Sequence, residues 1–256
     1  MEGQFNRNGG LTLVPMPGFM RVAEQVAEKI QEIGSEPAED RWVTPVDIAS
    51  PEFDYRSSGE PFLRLGKRHV GGHDCVVIGS GPGTDQMLMR TMMLLRYLAG
   101  RRAQRIALVE GYFPLSRSDK DEGGLEFALP PFIIEMLRAA ATGPDVGLSR
   151  IIAADLHAPQ VVMGGTTGLI VEIPLVRRVI RRAVEDAIKL GLPIVIAFPD
   201  EGAQKRFEKV IDQIEDEFRI KIPRARGVKR RKSSTESKLM ELYGDVESIR
   251  GSTVLC

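Results

Sequence analysis

The chain has 256 residues, of which 43% are hydrophobic and 27% charged, enough apolar material for one large core or two smaller ones. Its 35 basic and 35 acidic side chains cancel, which excludes a general electrostatic attraction to nucleic acid or to an anionic membrane. No apolar run approaches the ~20 residues that a membrane-spanning helix needs, and two cysteines exclude a disulfide framework.

Short apolar runs alternate along the chain with longer segments of helical period. There are four such runs, and each is bounded by Gly, Pro or charge, as strands buried on both faces of a sheet often are. They cover residues 75–78, 106–109, 151–154 and 194–198. We predict that each of them is a strand of a parallel sheet.

Five helices are predicted around these strands, because apolar residues recur there at helical spacing. They cover residues 19–33, 85–98, a segment after Pro130-Pro131, 175–190 and 204–218. Thr84 is a candidate N-cap of the second helix. Alternating strands and helices form right-handed βαβ units, and the Gly-rich segment 164–168 indicates a break between two α/β domains.

The segment 79–85 is a Gly-rich turn that opens the second predicted helix. Backbone amides in such a turn can receive a phosphate, although a plain tight turn has the same composition. The turn is not a Walker A sequence, because no Lys-Ser or Lys-Thr follows it.

Three further polar clusters follow predicted strands, and ligands of open parallel sheets bind at the carboxyl ends of strands. The segment 112–120 places aromatic side chains near Arg117, which suits a nucleotide as well as it suits a packed loop. Asp155 and His157 flank a single residue, so both side chains can face a cleft and bind Mg²⁺ or contact phosphate. Asp200, which precedes a Gly and a helix start, suits a metal–phosphate site.

A basic run without any acidic residue lies between positions 221 and 232. Its seven members are Lys221, Arg224, Arg226, Lys229, Arg230, Arg231 and Lys232. Such a run is typical of a solvated loop, an RNA-binding patch, a localisation signal or a mobile cationic lid that closes over polyphosphate.

In the same order and at compatible spacings, these clusters resemble those of the ribose-phosphate diphosphokinases over roughly residues 11–256. Tyr112-Phe113, followed by Arg117-Ser118-Asp119, is similar to that family's ATP-binding Tyr-Phe…Arg-Gln-Asp segment. Asp155-Leu156-His157-Ala158 matches its Asp-Leu-His-Ala, whose His contacts magnesium and ATP. Pro199-Asp200 matches its Pro-Asp-x-Gly-Gly turn, whose Asp is a metal site.

Two more segments carry the resemblance. Lys229-Arg230-Arg231, followed by Gly244-Asp245-Val246, keeps the spacing of the family's flexible catalytic loop. Ser58-Gly59-Glu60 lies where the family has its Phe-Ser-Asp-Gly-Glu segment.

The resemblance implies roles for particular residues. Lys229 and Arg231 would be catalytic, and the metal site would comprise Asp155, His157 and Asp200. The residues implied to bind ATP are Ser58, Gly59, Glu60, Arg117, Ser118, Asp119 and His157.

The resemblance also implies an α/β fold of two phosphoribosyltransferase-like parallel-sheet domains, the second incomplete. Residues 1–10 would be a disordered start, 11–163 the ATP-side domain, and 164–256 a partial second domain with a flexible catalytic loop at 221–240. The implied reaction converts ATP and ribose 5-phosphate into AMP and 5-phosphoribosyl 1-diphosphate, with Mg²⁺ as cofactor. The implied assembly is a homo-oligomer, commonly a hexamer in the family, and the two cysteines favour a reducing, cytoplasmic location without nucleic-acid or membrane partners.

Several positions depart from the family pattern. Arg56 and Ser58 occupy the places of an adenine-stacking Phe and an Asp, with Tyr55 as a possible replacement for the aromatic ring. Ser118 replaces Gln, the turn after Asp200 reads Glu-Gly-Ala, and two frequent Asp residues are Thr166 and Ile170 here. These departures weaken the inference that this chain shares the family's adenine contacts and second metal site.

The family's Val-Asp-Asp-x-x-x-Thr-Gly-Gly-Thr segment, which cradles ribose 5-phosphate, would begin after Cys256. We therefore expect little or no synthase activity from the printed sequence by itself. A non-catalytic homologue that binds and regulates active subunits is the alternative, although it does not explain the retained Lys229, Arg231, His157 and Asp200. A phosphoribosyltransferase is a third possibility, but it does not explain the Arg117 segment.

Overall fold

The computed structural model describes residues 10–35, 46–67, 69–81, 83–121, 123–124, 126–231 and 237–256. The predicted disordered start at 1–10 lies outside these residues, apart from Gly10. The chain divides into two compact units between Ile173 and Pro174.

The first unit is built on a six-stranded sheet whose order is β2-β1-β5-β6-β7-β8 and whose neighbours are all parallel. Its elements are β1 (Leu11–Pro15), α1 (Met20–Ser35), β2 (Val46–Ile48), β3 (Pro51–Tyr55), β4 (Pro61–Leu65), β5 (Asp74–Gly79), α2 (Asp85–Gly100), β6 (Arg105–Glu110), α3 (Leu129–Ala141), β7 (Leu148–Ala154) and β8 (Ile170–Ile173). A 3₁₀ turn, Pro159–Gly164, connects β7 to β8.

Helices cover both faces of this sheet. Leu94 of α2 and Ile133 of α3 pack in one core with Val77 and Leu108 of the central strands. Ala23 and Ala27 of α1 pack on the other face. Because every central strand is buried on both faces, its sequence is a continuous apolar run without alternation.

β3 and β4 form a separate antiparallel hairpin, paired from Pro51↔Leu65 to Tyr55↔Pro61. Phe53, Leu63 and Leu65 pack against the main core. The polar tip of the hairpin, where the Ser58-Gly59-Glu60 segment lies, is exposed.

The second unit contains a four-stranded sheet of order β11-β10-β9-β12. Its elements are α4 (Val176–Leu190), β9 (Ile194–Phe198), α5 (Glu201–Phe218), β10 (Arg224–Arg231), β11 (Ser237–Gly244) and β12 (Thr253–Leu255). β9 is parallel to both β10 and β12, whereas β10 and β11 are antiparallel. Val184, Ile196, Ile211 and Ile214 form its small core.

The four predicted strands and five predicted helices are all present. The predicted N-cap is confirmed, because the Thr84 side chain accepts a hydrogen bond from the Met87 amide at 3.4 Å. α3 begins at Leu129, so the two prolines lie inside its first turn rather than before it. Proline is tolerated there because amides of the first turn have no intrahelical acceptor.

Two boundaries differ from the sequence-based expectation. The first unit ends after 173 rather than 163, because β8 pairs with β7 and completes the first sheet. Residues 224–231 and 237–240, which lie within the expected flexible loop 221–240, belong to the antiparallel strands β10 and β11, and β11 continues to Gly244. No helix among the described residues is long and apolar enough to cross a membrane.

Candidate nucleotide site at the carboxyl edge of the first sheet

The loops that follow β5, β6 and β7 lie side by side, because these strands are adjacent and parallel. β5 ends at Gly79, which pairs with Glu110 at the end of β6. Glu110 in turn pairs with Ala153 of β7. The predicted 112–120 and 155–158 clusters therefore begin at one edge of the sheet, where open α/β sheets bind ligands.

The loop after β6 is fixed by buried residues and presents polar ones. Phe113 is 1% exposed and belongs to the main core. The Ser118 amide donates to the Leu115 carbonyl at 3.1 Å, and the Ser118 carbonyl accepts from the Leu129 amide at 2.8 Å. This framework leaves Arg117 and Ser118 exposed and Asp119 half-buried.

A hydrogen bond connects this loop to the segment after β7. Gln160, in the 3₁₀ turn, donates through Nε2 to Asp119 Oδ2 at 3.3 Å. Asp119, Pro131 and Gln160 also line a cavity of about 90 Å³. The Arg117-Ser118-Asp119 segment is thus linked to the 3₁₀ turn that follows the Asp155–Ala158 segment.

The turn after β7 has a specific backbone geometry. Asp155 adopts φ 41°, in the left-handed region, and its amide donates to the Ile173 carbonyl at 3.2 Å. The next amide, that of Leu156, donates to Glu172 Oε1 at 2.9 Å. Leu156 and Ala158 point into the core, so His157 between them is exposed at the sheet edge.

The hairpin tip is ordered by its own polar groups. Ser58 Oγ donates to Glu60 Oε2 at 2.9 Å, and Gly59 adopts φ 85°, which glycine tolerates without a steric penalty. The Arg56 guanidinium lies over the Phe62 ring at 4.9 Å. Tyr55 is half exposed, and its hydroxyl accepts from Gln86 of α2 at 3.1 Å.

Sequence reasoning missed Glu110. Its side chain is 6% exposed, and burial raises its pKa to about 8. Its position directly after the predicted strand 106–109 was the available signal, since a carboxylate seldom continues a buried apolar run.

In the second unit, Asp200 is the N-cap of α5. Its Oδ1 accepts a hydrogen bond from the Ala203 amide at 2.9 Å. The side chain therefore has a structural role that sequence reasoning did not assign, beside the predicted metal role.

Lys229 and Arg231 lie in β10, opposite Leu239 and Ser237 of β11. The base of this hairpin is held by Arg224, whose amide donates to Asp245 Oδ2 at 3.0 Å. The Arg224 guanidinium is 2.7 Å from Asp212 and 3.0 Å from Glu215. The two predicted catalytic residues are thus placed on a hairpin whose base is anchored to α5.

The predicted metal ligands fit only a site that is completed by a substrate. Within the described residues, no three His, Cys, Asp or Glu side chains are grouped so that they could hold a metal ion. Mg²⁺ is commonly bound by one or two carboxylates together with waters and substrate phosphates. Asp155 with its neighbour His157 suits such a partial ligand set.

Comparisons with known proteins agree with this arrangement, although no family model matches the chain. A ribose-phosphate pyrophosphokinase 1 of Listeria monocytogenes is 25% identical over 205 residues, 79% of this chain and 59% of that protein. A ribose-phosphate pyrophosphokinase of Corynebacterium ammoniagenes is 26% identical over 251 residues, 97% of this chain and 68% of that protein. The chain thus spans about three fifths of the length of the Listeria relative.

A solved structure shows the fold. The phosphoribosylpyrophosphate synthetase of Mycobacterium smegmatis superposes with a TM-score of 0.64 over 91% of this chain and 67% of that chain. Its sequence identity to this chain is 20%. The α/β fold with its six-stranded parallel sheet is therefore of the phosphoribosyltransferase-like type that the sequence predicts.

Proposed function

We propose that this chain, which belongs to the ribose-phosphate pyrophosphokinase family, is a ribose-phosphate diphosphokinase subunit that transfers the diphosphoryl group of ATP to ribose 5-phosphate. The products would be AMP and 5-phosphoribosyl 1-diphosphate. The observation that carries the proposal is the hydrogen bond between Gln160 and Asp119, which joins the Arg117 loop to the segment carrying Asp155 and His157.

ATP would bind at the carboxyl edge of the first sheet. Arg117 is exposed there, and a guanidinium can pair with two phosphate oxygens at once. Ser118 and Asp119 offer a hydroxyl and a carboxylate for the same nucleotide, and His157 offers an imidazole. Ser58, Gly59 and Glu60 at the hairpin tip would complete the ATP contacts.

Asp155 and His157 of the first unit would be ligands of Mg²⁺, and Asp200 would be a metal ligand of the second unit; Mg²⁺, when bound, would neutralise charge on the phosphate oxygens. Lys229 and Arg231 of the second unit would supply positive charge to offset the negative charge on the phosphate oxygens during transfer. Catalysis of this kind depends mainly on placement and electrostatics, since the anomeric hydroxyl of the sugar attacks the β-phosphorus directly.

The working assembly would be a homo-oligomer, a hexamer as in the family, located in the cytoplasm. Its ligands would be ATP, ribose 5-phosphate and Mg²⁺, with no nucleic-acid or membrane partner.

A regulatory, non-catalytic homologue is the second candidate, and the Arg56–Phe62 stack favours it. Arg56 occupies the position where the resemblance implies an adenine-stacking ring. Its guanidinium lies over the ring of Phe62 in the same hairpin. Such a subunit would act by binding active synthase subunits.

The direct test incubates the purified chain with ATP, ribose 5-phosphate and Mg²⁺ and follows AMP and 5-phosphoribosyl 1-diphosphate together. Whatever turnover the chain has should give equal amounts of both products and should fall ~10²–10³-fold in Lys229→Ala or Arg231→Ala. Absence of both products, together with altered turnover of added Corynebacterium ammoniagenes enzyme, would favour the regulatory function instead.

A further inference from the structure

Glu110 is an unusual residue for its position. It is the last residue of β6, a strand that contributes Ile106 and Leu108 to the main core. Its side chain lies on the same face as these two, because side chains two residues apart share a face of a strand. It therefore lies at the end of the main core, at the carboxyl edge of the sheet.

The carboxyl group has no hydrogen-bond partner among the described residues, although its side chain is only 6% exposed. Its Oε2 lies 3.8 Å from the place that a Cβ would occupy on Gly79, so the group extends over the first residue of the Gly-rich turn. Burying a polar group without a partner is unfavourable. No hydrogen bond within the described residues therefore holds this carboxyl group in place, and its oxygens are not among the fully buried unpartnered atoms.

The surroundings of the carboxyl group are uncharged. Its strand neighbours are Gly79 and Ala153, and Met16 packs beside Gly79. Burial alone raises the pKa of Glu110 to about 8, and no charged group in the described part of the chain contributes. At neutral pH the group is consequently a carboxylic acid, which has an O–H donor.

The Gly-rich turn at this edge suits an anionic ligand. The Gly-rich turn opens α2, a 16-residue helix, and helix N-termini attract anions. The loop after β6 packs on that turn, since the Gly111 amide donates to the Gly79 carbonyl at 3.0 Å. The same loop contains Ser116, whose Oγ is the one fully buried side-chain polar atom without a partner in the described residues.

We propose that Glu110 is a ligand-binding residue of the first unit, whose protonated carboxyl group donates a hydrogen bond to a phosphate oxygen of the bound nucleotide. The proposal rests on the proposed function, because it takes the nucleotide to be the ATP of the Arg117 loop. An ionised carboxylate would repel the same oxygen. Nucleotide binding should therefore weaken when Glu110 loses its proton.

The test measures ATP affinity by isothermal titration calorimetry at pH 7 and pH 9, with the same excess of Mg²⁺ throughout. The protonated fraction of a group with a pKa of about 8 falls from about 0.9 to about 0.1 in this range, so wild-type affinity should fall about tenfold. Phosphate groups, with a second pKa near 6, contribute little above pH 7. Glu110→Gln, which keeps a neutral donor, should lose this pH dependence and retain the affinity at pH 7.

A second variant separates binding from stability. Glu110→Leu should raise the melting temperature and weaken ATP binding about tenfold at pH 7, because it removes both the unfavourable burial and the donor. The matched control is Glu215→Leu in the second unit, a buried carboxylate that accepts hydrogen bonds from Ile222, Lys221 and Arg224. That variant should lower the melting temperature and leave ATP affinity unchanged.

Three outcomes would overturn the proposal. Equal ATP affinity of wild type and Glu110→Leu would remove Glu110 from the site and leave the proposed function intact. Affinity that rises between pH 7 and pH 9 would mean that an ionised Glu110 accepts a hydrogen bond, contrary to the proposal. No ATP binding by the folded wild-type chain would overturn both the proposal and the proposed function.

Discussion

At the residue scale, the two units contain buried carboxyl groups in opposite situations. Glu215 is 3% exposed. Burial by itself would raise its pKa, but hydrogen bonds from the Ile222 amide, Lys221 and Arg224 hold the pKa below its ordinary value. Glu110 is similarly buried but lacks such partners, so its pKa is raised to about 8. The first group stabilises the fold as an anion, whereas the second is tolerated as a neutral acid.

These shifts have opposite consequences for stability as pH changes. The lowered pKa of Glu215 contributes stability above its unfolded pKa, and this contribution is lost as pH falls through the folded pKa. The raised pKa of Glu110 makes the folded state progressively less favourable as pH rises from the ordinary glutamate pKa of 4.5 to about 8. Both effects favour a stability maximum on the acid side of neutrality.

Arg117 provides the sharpest residue-scale prediction for the proposed site. Arg117→Ala should weaken ATP binding about 10- to 100-fold, because a charge-assisted hydrogen bond contributes ~1.5–3 kcal/mol. The measurement is calorimetric titration with ATP. Arg150→Ala, which removes an exposed arginine from β7, is the matched control and should bind like wild type. Equal affinities of the two variants would exclude Arg117 from the nucleotide site.

At the element scale, the β10–β11 hairpin differs most from what its composition indicates. β10 reads Arg-Ala-Arg-Gly-Val-Lys-Arg-Arg, a basic sequence that predicts a solvated loop. It is a strand because Arg224–Arg226 pair with Ile196–Phe198 of β9 and because β11 pairs on its other side. β9 is distant in sequence, so no local pattern predicts that β10 pairs with it.

Gly244 is the last residue of β11, at the base of the hairpin, and adopts φ 89°. A Cβ there would lie 2.4 Å from the Arg224 carbonyl oxygen, which already accepts the Asp245 amide at 2.9 Å. Gly244→Ala should therefore lower the free energy of unfolding by more than about 1 kcal/mol, measured by urea denaturation.

Gly147→Ala is the control for this prediction, because no heavy atom lies within 4 Å of a Cβ at that position and its φ is not positive. It should be neutral or slightly stabilising. If both variants unfold at the same urea concentration, the tight closure of the hairpin contributes no measurable stability.

At the scale of the whole molecule, the proposed hexamer is open to direct measurement. Six chains of 28.3 kDa give about 170 kDa. Sedimentation equilibrium should yield this mass at micromolar concentration, and a particle of one chain would contradict the proposed assembly. Dilution provides a check, since a specific closed oligomer dissociates in defined steps and a non-specific aggregate does not.

Features that depend on neighbouring residues could be predicted from the sequence. The runs 75–78, 106–109 and 151–154 could be recognised as strands because burial on both faces requires continuous apolar residues. Thr84 could be recognised as an N-cap because its hydroxyl satisfies an amide only three residues away. The polar clusters 112–120 and 155–158 could be predicted to meet, since parallel strands place their carboxyl ends at one edge.

Features that depend on distant residues were visible in the folded chain alone. The pairing of β10, the anchoring of Arg224 by Asp212 and Glu215, and the contact between Asp119 and Gln160 join segments separated along the chain. The neutral state of Glu110 has the same origin. Burial raises its pKa, because the strands and helices that pack around the carboxyl group exclude solvent. No short segment of the sequence predicts this burial.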